Sequence, residues 1–143
     1  MSPRRTRLAA GALAAGLAAG LALPVAAQME ARLSFAAGAD SATANGTVIG
    51  EDYFDYLLEA RAGQEMDVAL TVRDTNGYGI AYFNILPPGS DGAAIFNGSV
   101  SAEDGRGSVR LPEDGDYTVR VYLMGNDRDT GKTVGYSLSV TIR

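Results

Sequence analysis

The sequence predicts an all-β protein, an antiparallel β-sandwich of about eight or nine short strands, and three features predict it. The first is period-2 alternation. Met66, Val68, Leu70 and Val72 alternate with Asp67, Ala69 and Thr71; Tyr117, Val119, Val121 and Leu123 alternate with Thr118, Arg120, Tyr122 and Met124. Tyr136, Leu138, Val140 and Ile142 repeat the pattern at the end of the chain. Such spacing gives a strand one face for a core and one for water. The second feature is turn punctuation, with Asn-Gly at 45–46, 76–77 and 97–98, Arg61-Ala62-Gly63-Gln64, and Glu113-Asp114-Gly115-Asp116. Asn and Gly tolerate the positive φ angles of hairpin turns. The third is that no stretch after Gln28 sustains a helical period of useful length. Closely spaced short strands between such turns build sandwiches.

In chain order, the first segment reads as a signal peptide over residues 1–27. Arg4, Arg5 and Arg7 supply a positive start, Leu8 to Leu23 is an Ala/Leu/Gly stretch, and Pro24-Val25-Ala26-Ala27 offers small residues for cleavage. The apolar stretch is shorter than the roughly 20 residues a membrane-spanning helix needs. Residues 28–143 then form one domain, expected in the periplasm or secreted, without a membrane span. Strands are expected near 31–36, 43–49, 53–60, 65–72, 79–86, 93–97, 107–111, 116–124 and 133–142. Alternation within 53–60 places Phe54 and Tyr56 on one face and Tyr53 on the other. Pro87-Pro88-Gly89 ends the run from Ile80 to Leu86, since proline cannot donate to a ladder. Leu111-Pro112-Glu113-Asp114-Gly115-Asp116-Tyr117 has the layout of a tyrosine corner, in which Tyr117 bonds backbone just upstream. Asn45-Gly46-Thr47 and Asn97-Gly98-Ser99 match the glycosylation sequon and are read here as hairpin turns.

Composition narrows the function. The 143 residues contain no Cys, His or Trp. That excludes Ser-His and Cys-His catalysis, imidazole or thiolate metal sites, and disulfides. Twelve Lys and Arg stand against seventeen acids, a formal charge of −5. Cleavage after Ala27 would remove three Arg and no acid, moving the charge to −8. An acidic body lacks the cationic face that nucleic acid requires. The carboxylates sit mainly in turns, where they are solvated, and Lys132 lies in a polar loop that does not bury it. The chain therefore reads as a binding protein and not an enzyme. Asp127-Arg128-Asp129-Thr130-Gly131 resembles a fragment of a calcium loop but lacks the third acidic position and the distant Glu, so no metal or other cofactor is expected. Tyr53, Phe54, Tyr56, Tyr78, Tyr82 and Phe83 form an aromatic group that would in part suit a sugar-stacking platform.

Asp55-Tyr56-Leu57-Leu58 to Ala62-Gly63-Gln64, Tyr82-Phe83-Asn84-Ile85-Leu86-Pro87-Pro88-Gly89-Ser90, the run from Leu111-Pro112 to Tyr122, and Tyr136-Ser137-Leu138 resemble the periplasmic bacterial inhibitors of g-type lysozyme. The Ala-Gly-Gln turn and the Leu-Pro-x-x-Gly-x-Tyr corner are also similar to pre-peptidase C-terminal domains. The resemblance implies a small exported sandwich that plugs a lysozyme cleft with loops at one end. It implies g-type lysozyme from a host as partner, or another cationic envelope protein. Lysozymes are cationic and their clefts carry catalytic carboxylates, so an acidic body gains attraction while an inserted Arg pairs with a cleft acid. In the family's binding edge a Tyr, a Ser and two Arg occupy places that hold Glu51, Asp114, Gly125 and Asp129 here. Tyr53 and Arg128 lie one or two steps from the expected Tyr and Arg. The expected partner-binding residues are accordingly Glu51, Asp52, Tyr53, Asp114, Asn126, Asp127, Arg128 and Asp129, with segments 50–53, 112–116 and 125–132 brought to one end and Arg128 as the inserted cation. The alternative is a non-catalytic module binding carbohydrate or an envelope protein.

Overall fold

Alternating apolar residues in a chain this length must find a second apolar surface, and two facing sheets provide it. The computed structural model describes residue 20 and residues 28–143; the expected signal peptide otherwise lies outside the described residues. The strands are β1 (Gln28–Arg32), β2 (Ser41–Ile49), β3 (Tyr53–Ala60), β4 (Glu65–Thr75), β5 (Tyr82–Leu86), β6 (Phe96–Asn97), β7 (Arg106–Arg110), β8 (Gly115–Tyr122) and β9 (Thr133–Ile142). Two single-turn helices, α1 (Gly98–Ser101) and α2 (Gly125–Asp129), interrupt them. One sheet has the order β1-β3-β8-β5-β6 and the other β2-β9-β4-β7. No helix among the described residues is long and apolar enough to cross a membrane.

The core lies between the sheets. Tyr56, Leu58, Phe83, Ile85, Tyr117, Val119 and Val121 from the first sheet meet Val48, Met66, Val68, Val134, Tyr136, Leu138 and Val140 from the second, all buried. Beneath β2, the hydroxyls of Tyr56 and Tyr136 share a buried hydrogen bond of 2.7 Å. Burial raises the pKa of both phenols. Tyr117 makes the expected corner: its hydroxyl donates to Glu113 O (2.6 Å) and accepts from Glu113 N (3.1 Å).

The structure departs from expectation at four places. β1 runs parallel to β3, so the sandwich is antiparallel except at this edge. β1 also starts earlier than 31–36 and ends at Arg32; Leu33 leaves the ladder but stays buried, its N–H donating to Leu57 O, as the chain crosses sheets. Asn45-Gly46 is not a turn. It lies mid-strand in β2, opposite Ser137 and Tyr136, because a Cβ at Gly46 would meet the Tyr136 and Tyr56 hydroxyls packed beneath it. The other two Asn-Gly pairs are not hairpins either. Asn97 caps α1, its side chain accepting from Ser99 N, and Gly98 sits where a Cβ would strike the Phe83 carbonyl. Asn76-Gly77 lies on the crossing from β4 to β5, where Asn76 Oδ1 accepts from Thr133 N at 3.0 Å.

Candidate functional site

The register decides which loops share an end. On β3 and β8, Tyr53 lies opposite Tyr122 and Ala60 opposite Gly115. Tyr82 also pairs with Tyr122, and Thr75 with Val134. The loops 50–52, 76–81 and 123–132 therefore gather at one pole. The corner 111–114 and the turn 61–64 lie at the other. An eight-residue strand at about 3.4 Å per residue separates the two poles by roughly 24 Å.

Seven of the eight expected partner-binding residues meet at the first pole: Glu51, Asp52, Tyr53, Asn126, Asp127, Arg128 and Asp129. Gly50 N–H donates to Lys132 O (2.9 Å) and locks the β2–β3 turn to the α2 loop. Gly50 itself is held at φ 56°, with Gly131 and the Arg128 carbonyl against it. Asp114 does not join them. Its carboxylate accepts from Ala62 N at 2.8 Å and ties the β7–β8 corner to the β3–β4 turn at the opposite pole. The physical reason is the ladder: segment 112–116 precedes the β8 end that pairs with Ala60, whereas 125–132 follows the end that pairs with Tyr53.

At the first pole, α2 is a one-turn helix on the segment that carries the chain from one sheet to the other. Its charges are engaged. Asp127 accepts from Ile80 N (3.1 Å) and lies 3.7 Å from Lys132 Nζ. Arg128 Nε pairs with Asp129 at 2.9 Å, both side chains at least half exposed. Among the described residues no group of acids is arranged to hold a metal. Beside Tyr53, the Arg120 guanidinium lies 4.3 Å from the ring centroid and forms a fork to Asp55 at 2.8 and 2.9 Å. The Asp55 hydrogen bond leads in raising the Arg120 pKa. Tyr53, Tyr122 and Tyr82 form one cross-strand row on the outer face, so the first sheet backs the pole with half-buried rings.

The loop between β4 and β5 was not among the expected partner-binding segments, although Tyr78 stood in the aromatic group. Tyr78 is fully exposed and Ile80 is 56% exposed; with Ile49 and Met124 they put four exposed large apolar side chains at this pole. Lys132 Nζ reaches the Tyr78 carbonyl at 3.4 Å, joining the loop to the α2 segment. The available signal was Gly77-Tyr78-Gly79, a bulky ring between two glycines outside any alternation. The aromatic group splits. Phe54 stacks on Tyr56 and Phe83 on Phe96, toward the core, so only Tyr53, Tyr78 and Tyr82 of the six face outward. A surface depression of about 790 Å³ lies elsewhere, over β4, β7 and β9. Asp67 there is hydrogen-bonded by Ser108 and Arg143, which lower its pKa and keep it ionised.

A two-sheet frame that projects an apolar and charged loop pole is the architecture of a loop-presenting binding protein. The known structures agree. Aeromonas hydrophila PliG, a periplasmic lysozyme inhibitor of g-type lysozyme, is 33% identical with TM-score 0.74, the match covering 83% of this chain and 100% of that one. Salmonella Typhimurium PliG is 27% identical with TM-score 0.62, over 80% of this chain and 98% of that one. The Escherichia coli K12 inhibitor of g-type lysozyme is 28% identical over 111 residues, 78% of this chain and 79% of that protein. The pre-peptidase C-terminal domain of a Bacillus anthracis collagenase shares the fold alone, at 14% identity and TM-score 0.51. No protein-family model matches the chain. The chain belongs to the family of periplasmic inhibitors of g-type lysozyme.

Proposed function

We propose that this protein inhibits a g-type lysozyme in the periplasm by steric occlusion, performing no reaction of its own, after residues 1–27 are removed as a leader. The observation that carries the reading is the gathering of Tyr78, Ile80, Ile49 and Met124 with Arg128 on one pole of a sandwich whose relatives are such inhibitors. Exposed apolar side chains rimmed by charge mark a protein-binding surface. Aromatic and Arg side chains are the residues that anchor such interfaces. Arg128 exchanges its Asp129 partner for a carboxylate of the lysozyme cleft, while Tyr53 and Glu51 form the rim and Asp114 takes no part. The acidic body steers a cationic enzyme toward the pole.

The test is an inhibition assay of the periplasmic protein against g-, c- and i-type lysozymes at low and physiological salt. Inhibition of the g-type enzyme, tighter at low salt, is expected. Arg128→Ala should weaken it more than tenfold. Failure to inhibit any g-type lysozyme would refute the reading, and undiminished inhibition by Arg128→Ala would remove that side chain from the site.

A further inference from the structure

Asn-Gly is a reactive dipeptide as well as a turn former. The glycine amide nitrogen, uncrowded by a side chain, can attack the asparagine carboxamide carbon and close a succinimide ring. In a folded chain the outcome depends on what holds the two groups. The three Asn-Gly pairs are held differently. At Asn45-Gly46 the nitrogen is engaged: Gly50 N–H donates to Lys132 O, and on that register Gly46 exchanges backbone bonds with Tyr136. At Asn97-Gly98 both groups are engaged. Gly98 is buried and its N–H donates to Asn84 Oδ1 at 3.2 Å. Asn97 Oδ1 accepts from the Ser99 N–H and hydroxyl at 3.1 and 2.7 Å.

Asn76-Gly77, in the loop between β4 and β5, is the reverse case. Both residues are exposed, and among the described residues Gly77 N–H has no acceptor. Gly77 sits at φ 118°, a conformation that glycine alone adopts readily. The carboxamide beside it is held and polarised. Asn76 Oδ1 accepts from Thr133 N at 3.0 Å, while Asn76 N–H donates to Thr133 O at 3.3 Å. An N–H aimed at a carbonyl oxygen stabilises the negative charge that gathers there when the carbon is attacked. Lys132 adds a cation, since a Cβ on Gly77 would stand 3.2 Å from its Nζ. A positive charge beside a weakly acidic N–H favours its deprotonated, nucleophilic form.

We propose that Asn76-Gly77 is a self-modifying site: a free glycine nitrogen beside a carboxamide held by Thr133 converts Asn76 to aspartate and isoaspartate, while the other two pairs are protected by the fold. Solvent takes the Gly77 amide proton and the nitrogen attacks Asn76 Cγ. The Cγ–Nδ2 bond breaks, and Nδ2 regains a proton from solvent and leaves as ammonia. Water then opens the ring. Opening at Cγ gives aspartate; opening at the main-chain carbonyl carbon gives isoaspartate, with the chain rerouted through the former side chain. Either product places a carboxylate beside Lys132, and isoaspartate also inserts an extra backbone carbon just ahead of Tyr78. The pair thus acts as an age-dependent off switch for the loop that presents Tyr78. The modification is independent of the lysozyme reading, and its effect on inhibition rests on that reading.

The test follows the unmodified protein, expressed as the full chain and recovered from the periplasm, as it ages in buffer below its unfolding transition. Peptide mass mapping reads the loss of ammonia and gain of water at each Asn, and isoaspartate-specific enzymatic methylation reads the rearranged product. In the folded protein Asn76 should convert at least about tenfold faster than Asn45 or Asn97. In denaturant the three rates should converge, because the dipeptide is the same and only the fold separates them. Lys132→Gln should slow conversion at Asn76 severalfold. Conversion at Asn76 no faster than at the other two would overturn the proposal, as would an advantage that persists undiminished in denaturant. The fraction carrying isoaspartate at position 76 should inhibit g-type lysozyme at least about tenfold more weakly than fresh protein, and equal inhibition would overturn the switch. Fresh protein that fails to inhibit while Asn76 still converts fastest would sink the functional reading alone.

Discussion

Tyr78→Ala separates binding from folding more cleanly than any other change at the loop pole. The side chain is fully exposed in the free protein and its ring packs against nothing, so removing it takes nothing from the core. Docked in a lysozyme cleft, a Tyr buries about 150–250 Å². At about 25 cal/mol per Å² that is roughly 4–6 kcal/mol as an upper bound. Ordering the side chain costs about 0.5–1.5 kcal/mol, and polar contacts at the hydroxyl are imperfectly replaced. A net loss of about 2–4 kcal/mol follows, which is roughly a 30- to 700-fold weaker inhibition constant. The assay is competitive inhibition of g-type lysozyme on a cell-wall suspension, with thermal unfolding measured in parallel. The melting temperature should not move. Inhibition within twofold of the unmodified protein would show that the exposed ring is not an anchor, and the argument from exposed apolar side chains would fall with it.

Three other changes probe the frame. Asp114→Ala removes the acceptor for Ala62 N and should cost about 0.5–1 kcal/mol, a few degrees of melting temperature, while leaving inhibition unchanged; lost inhibition would return Asp114 to the site. Arg120→Ala leaves the Asp55 carboxylate, 3% exposed, without its forked partner and should destabilise by about 3 kcal/mol, with Asp55→Leu/Arg120→Leu recovering most of it in denaturant titration. Tyr136 and Tyr56 have folded-state pKa values raised above 10.0, for both chiefly by burial. Their stabilisation is full below the unfolded phenol value and is lost as pH rises beyond it, so the melting temperature should drop steeply above about pH 10. Tyr136→Phe should make that drop shallower, and a curve flat to about pH 11 would contradict the buried hydroxyl pair.

The fold was legible where local chemistry and tertiary environment agree. The alternation in 53–60 and 133–142 coincides with β3 and β9 because each packs one face on the core along its whole length. The Tyr117 corner was legible because its hydrogen bond closes within four residues. The Asn-Gly pairs misled for the opposite reason. Their turn propensity is local, but at 45–46 the Tyr56–Tyr136 pair needs a residue without a side chain above it, and that demand comes from residues distant in sequence. The parallel edge was equally hidden: Gln28 reaches Asp55 and Arg32 reaches Asp116, contacts across 27 and 84 residues that no local pattern announces.

The site was half legible for a related reason. Polar turns can be found in a sequence, but the pole each occupies depends on strand direction and register. Asp114 and Arg128 sit at either end of one strand, β8, and only the pairing of Tyr53 with Tyr122 and of Ala60 with Gly115 tells which end faces the β2–β3 turn. Once that pairing is known, the acidic residues lose rank and the apolar ones gain it. Asp127 is spent on Ile80 N and Lys132, and Asp129 on Arg128, so these carboxylates shape the loop. Tyr78 and Ile80, held out by Asp127 and Lys132, are what the loop presents. The pole's own charges are thus largely paired. Under the proposed function, overall charge would set the rate of encounter with a cationic enzyme, and apolar contact together with Arg128 would set the lifetime of the complex.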